Sequence, residues 1–224
     1  MLLLAFVFIG ALFGYLSLIL SKKLISRRTS KDYNALIISS RFSYIFWIAA
    51  FAVSFVLIGL VLNMNFLRCF EAQLLFSVLI CLSVIDYLIR KIPNSLLIAL
   101  LALRIIYICI DKDFGLFISS IIVMVAVFII FQIPSLFGVH IGMGDIKLAA
   151  VIGFFAGFSG IIITAIVMIV LLLLYTIYLY ISKKGSLKSH VALGPFLSTG
   201  GFVAFIIFSL SANAIPLFFN LRII

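Results

Sequence analysis

Residues 148–181 read LAAVIGFFAGFSGIIITAIVMIVLLLLYTIYLYI, with no charged side chain among them. A helix crosses the hydrocarbon of a bilayer in about 20 residues. The stretch is therefore too long for one straight crossing and long enough for two. Gly157-Phe158-Ser159-Gly160 is the natural break, which predicts one span over 143–160 and another over 161–181.

Working outward, further apolar runs predict spans near 2–21, 42–62, 70–89, 95–110, 114–137 and 191–210. The chain is 67% hydrophobic and 10% charged, with a mean hydropathy of +1.46. That excludes an ordinary soluble domain. Strand alternation of the outer-membrane type is absent. The fold expected is an all-α, polytopic membrane bundle of about eight transmembrane helices, forming one domain over 1–224. Residues 1–41 hold the first span and a short basic loop, and 42–224 hold the rest of the bundle.

The net charge of +10 reflects topology rather than nucleic-acid binding. With eight spans and both termini outside, the inner segments hold Lys22, Lys23, Arg27, Arg28, Lys31, Arg41, Arg90, Lys91, Lys147, Lys183, Lys184 and Lys188. The outer segments hold only Arg68, Lys112 and Arg222, and Arg104 falls within the fourth span. This is the positive-inside pattern, and merging the sixth and seventh spans would break it. The N-terminus is apolar from Met1, with its positive charges after the run, so it reads as a retained span rather than a cleaved signal. Cys69, Cys81 and Cys109 form no CxxC pair and read as packing residues.

Six carboxylates are present: Asp32, Glu71, Asp86, Asp111, Asp113 and Asp145. Four are expected in or beside loops. Asp86 and Asp145 instead stand at the ends of apolar runs, where a charge is costly and marks function by default. The topology brings both to the inner side. Asp86 begins the segment Asp86-Tyr-Leu-Ile-Arg90-Lys91-Ile92-Pro93-Asn94. Pro93 ends the helix and biases Ile92 away from it, and Asn94 is expected to cap the next helix. Asp145 lies in Gly142-Met-Gly144-Asp145-Ile-Lys147. The two glycines let the backbone approach another chain closely, and Lys147 can reach outward to the interface.

Each aspartate alone has a plainer reading: Asp86 as a helix-end partner of Arg90, Asp145 as a helix cap. Their joint placement favours a dyad. Two carboxyls in contact share a proton. The ionised member can activate water, and the protonated one can polarise a carbonyl and later protonate the leaving amine. His140 and His190 read as inner-loop surface residues, and no metal site or cofactor is expected.

These residues resemble the prepilin peptidases, the type IV leader peptidases of the aspartic class. That family pairs an aspartate upstream of Ile-Pro-Asn with a Gly-x-Gly-Asp-x-Lys motif, here Asp86 with 92–94 and then Gly142 to Lys147. Leu193-Gly194-Pro195-Phe196-Leu197 with Gly200-Gly201 is similar to its Gly-Pro-Phe segment. The resemblance runs from about 80 to 202. It implies an eight-helix inner-membrane fold, with Asp86 and Asp145 catalytic and Gly142, Gly144, Lys147, Pro93, Asn94, Gly194 and Pro195 shaping the site. It also implies cleavage, at the cytoplasmic face, of the leaders of prepilin-like substrates (pilus, competence pseudopilus or type II secretion subunits). These carry a basic leader before an apolar helix. Bifunctional members have a large cysteine-bearing insert after the first span and also methylate the new N-terminus. Here residues 21–41 are short, basic and free of cysteine, which leaves hydrolysis without methyl transfer.

A competing reading is a small transporter using the two aspartates as a proton relay. It needs polar residues continuing outward, and spans three, five and six are expected to supply few. A second is a non-catalytic assembly factor that kept the fold. Gly10/Gly14 and Gly153/Gly157 read as close-packing pairs between helices. Pro134 is expected to end or kink the fifth span, and Arg104 to snorkel outward or to pair with Asp111 or Asp113.

Overall fold

A computed structural model describes residues 2–28, 41–112, 114–138, 141–182 and 192–214. The described residues form helices and their connections, with no strand among them. In chain order these are α1 (Leu2–Ser26), α2 (Arg41–Val61), α3 (Phe66–Ile89), α4 (Asn94–Asp111), α5 (Phe114–Leu136), α6 (Met143–Ile181) and α7 (Gly194–Ala214). Five of them, α1, α2, α3, α5 and α6, are long and apolar enough to cross a membrane, and the apolar stretches in α4 and α7 are shorter. His140, His190, Lys183, Lys184, Lys188, Asp32 and Asp113 lie outside the described residues, as do the readings made of them.

The chain divides into two compact units, Met1–Ser77 with Phe205–Ile224, and Val78–Ala204. In the first, α1 packs on α2. An added Cβ on Gly10 would fall 2.7 Å from the Phe51 carbonyl oxygen, and one on Gly14 would fall 2.9 Å from Phe51 Cβ. Phe6 stacks on Phe55 at 4.7 Å, and Phe13 meets Phe55 and Phe70 edge-on. α1 continues through Lys22 and Lys23, because a charge ends a membrane span without ending a helix.

The beginning of α3 corrects the sequence reading. The helix starts at Phe66 rather than 70, where Asn65 Oδ1 accepts the Arg68 N–H at 3.4 Å and so serves as its cap. Glu71 thus lies in the second turn, fully buried, with Oε2 3.5 Å from Arg68 Nη1. Gln73 is equally buried, and its Oε1 accepts the Ser54 hydroxyl at 3.3 Å. Glu71 is therefore no loop residue, and α3 carries more buried polar groups than expected.

In the second unit α4, α5 and α6 pack together. Gly153 of the Gly153/Gly157 pair does meet a neighbour, Val127 of α5, at 3.1 Å from its would-be Cβ. Pro134 lies inside α5, which runs two residues past it. Arg104 holds its guanidinium over the Phe155 ring at 5.3 Å, a cation–π contact. The side chain of Asp111, like all of Asp113, is outside what is described.

α6 is two helices joined at one residue. Gly157 has φ 70° and ψ −172°, a region essentially closed to residues with a Cβ. Adjacent glycines of α7 touch both sides of this break: Gly200 meets the Thr164 carbonyl oxygen, and Gly201 meets Ile152. Tyr175 also packs on Phe196 at 5.5 Å, at the same end of α7 as Asp86 and Asp145. On a straight helix Asp145 and Tyr175 would stand about 45 Å apart. The chain therefore turns back at Gly157, the first residue of the predicted break. We call the two segments α6a (143–156) and α6b (158–181). Gly157→Ala should cost about 1–3 kcal/mol, read as a lowered unfolding midpoint in detergent. An unchanged midpoint would remove the requirement for glycine there.

Candidate active site

Asp86 sits one turn before the end of α3. The helix stops because Arg90 takes a left-handed φ of 56° while its N–H still reaches the Asp86 carbonyl at 2.8 Å, a left-handed C-terminal cap. Pro93, fully buried, then takes the cap position of α4 with extended backbone. Asn94 is the first helical residue and supplies no cap hydrogen bond, which corrects the expectation for it. Proline has already fixed the entry geometry.

Asp86 is 5% exposed. The Gly194 backbone N–H donates to its Oδ2 at 3.0 Å. Gly194 opens α7, so this N–H belongs to the four that no helical carbonyl satisfies, and a helix start favours an anion. The approach requires glycine: a Cβ there would lie 2.5 Å from Oδ2 and 2.9 Å from Cγ. Pro195 follows within the first turn, where its missing N–H leaves no bond unmade.

Asp145 is the third residue of α6. Gly142 holds the cap position without a side-chain bond, so Asp145 is not the cap. Its N–H donates to the Gly142 carbonyl at 2.9 Å, and a Cβ on Gly142 would stand 2.9 Å from its Oδ2. Among the described residues its Oδ1 is buried with no hydrogen-bond partner. Such an oxygen is costly to leave unmatched.

The two motifs meet. A Cβ on Gly144 would lie 3.1 Å from Ile92 Cβ, so the stretch before Pro93 leans on the turn that carries Asp145. The carboxyls are close enough for the charge of Asp86 to act on Asp145. Asp86, Asp145, Gly142, Gly144, Gly194 and Pro195 thus converge with Pro93. Lys147 and Asn94 instead line a groove between α4, α5 and α6. Sequence reasoning missed Ile92 as the contact between the motifs. Its place beside Pro93, where extended backbone can reach a neighbouring glycine, was the available signal. Among the described residues no three His, Cys, Asp or Glu side chains gather as a metal site.

These features define a polytopic helical membrane protein with two carboxylates brought together at helix ends. Residues 73–177 match the type IV leader peptidase family. The match supports a membrane peptidase of the prepilin-processing kind. No curated protein and no solved structure matches the chain.

Proposed function

We propose that Asp86 and Asp145 are the catalytic dyad, and that the chain hydrolyses the leader peptide bond of prepilin-like proteins at the cytoplasmic face without methylating the product. The observation that carries the reading is the approach of two carboxylates on separate helices, buried Asp86 anchored by the Gly194 N–H and Asp145 with one buried, unmatched oxygen. One carboxyl, ionised, takes a proton from water as the water oxygen attacks the scissile carbonyl carbon. The other, protonated, donates to the carbonyl oxygen as it gains charge. The tetrahedral adduct collapses, the C–N bond breaks, and the leaving nitrogen takes up a proton. Water is the only co-reactant.

Both termini lie outside in this topology, and the basic leader of the substrate stays in the cytoplasm while its apolar helix remains in the bilayer. Pilus, competence pseudopilus and type II secretion subunits present such leaders. Co-expression with a prepilin-like substrate should give a faster-migrating product on a gel. Mass spectrometry of its new N-terminus should give the unmethylated mass. A methylated product overturns the single-activity reading, and an unprocessed substrate overturns cleavage of that substrate class.

A further inference from the structure

The groove between α4, α5 and α6a has a volume of about 480 Å³. Its floor is Leu97, Ala150 and Val151, and its walls include Ile98 and Val125, which are 64% and 48% exposed. Lys147 and Asn94 are the polar groups among its lining residues. Both lie at the starts of their helices, so the groove is polar at one end and apolar along its length. It runs from Asn94 to Leu101, about 10 Å along α4.

We infer that this groove binds an anionic phospholipid, with the phosphate on Lys147 and Asn94 and an acyl chain laid along Leu97, Ala150 and Val151. Charge complementarity selects the headgroup. Lys147 stands at the mouth, and Arg90 and Lys91, both exposed, lie in the connection just before Asn94. The start of α4 carries no side-chain cap bond, so its first N–H groups also favour an anion. Asp145 precedes Lys147 by two residues, roughly 200° around the helix. The lysine therefore serves the groove while Asp145 faces Asp86.

A helix is about 10–12 Å wide, whereas a single acyl chain is far narrower and can lie along the apolar length of the groove.

Native mass spectrometry of the full chain, released from micelles holding equal amounts of phosphatidylglycerol and phosphatidylcholine, tests the assignment without reading cleavage. The wild type should retain phosphatidylglycerol over phosphatidylcholine by about fivefold, as one cation at a lipid surface supplies. Lys147→Gln should abolish that preference. Ile98→Trp and Val125→Trp, on walls 64% and 48% exposed, should fill the groove and lower phosphatidylglycerol retention about fivefold or more. Equal retention of the two lipids by the wild type overturns the proposal. So does undiminished phosphatidylglycerol on both tryptophan variants, which keeps the test decisive if Lys147→Gln fails to fold. Displacement of bound phosphatidylglycerol by a synthetic apolar helix with a basic leader would assign the groove to substrate and also overturn it.

Discussion

Asp86→Asn and Asp145→Asn should each abolish leader cleavage, lowering the rate by roughly a thousandfold or more, since a positioned acid or base alone contributes about 10²–10⁴. Each replacement keeps the shape of the side chain and removes its ability to exchange a proton. At position 86 the Asn oxygen can still accept the Gly194 N–H, so helix ends and burial are preserved. Expression and membrane insertion should therefore match the wild type. The measurement is the initial rate of product appearance against a fixed amount of inserted protein. The two losses should not multiply in the double variant, because a dyad fails as a unit. A single variant that cleaves at the wild-type rate would dismantle the dyad assignment.

Gly194→Ala should reduce cleavage by about a hundredfold, the scale expected when a reacting group is displaced by about 1 Å. A methyl group 2.5 Å from Oδ2 and 2.9 Å from Cγ of Asp86 cannot coexist with the present carboxylate position. Either the carboxyl swings away or α7 recoils, and the hydrogen bond from the helix start is lost in both cases. Gly194 acts through Asp86, so it is a positioning residue. A positioning defect lowers kcat with little change in KM and leaves the unfolding midpoint near that of the wild type. A drop in the midpoint large enough to account for the lost rate would make its role structural.

The apolar runs and the distribution of lysine and arginine were enough to read the helices and the reversal at Gly157. Both follow from local physics: hydrocarbon solubility, and a backbone geometry that only glycine adopts. Asp86 and Asp145, the proposed dyad, stood out because carboxylates are scarce and two of them stand beside helix breakers. Glu71 was misread, since hydropathy alone does not reveal that Asn65 caps α3 and starts the helix at Phe66, about one turn early. Asn94 was misread as a cap because Pro93, one residue earlier, already fixes the entry. The hydrogen bond from Gly194 to Asp86, and the groove holding Lys147, depend on contacts between distant segments, which no single stretch of sequence encodes.

The turn at Gly157 also bears on the surrounding bilayer. Segment α6a, residues 143–156, reaches about 21 Å at 1.5 Å per residue, against a hydrocarbon thickness of about 30 Å. Ile146 and every residue from Leu148 to Ala156 are buried against neighbouring helices. The short crossing is therefore surrounded by protein rather than by lipid, so the bilayer need not thin to match its length.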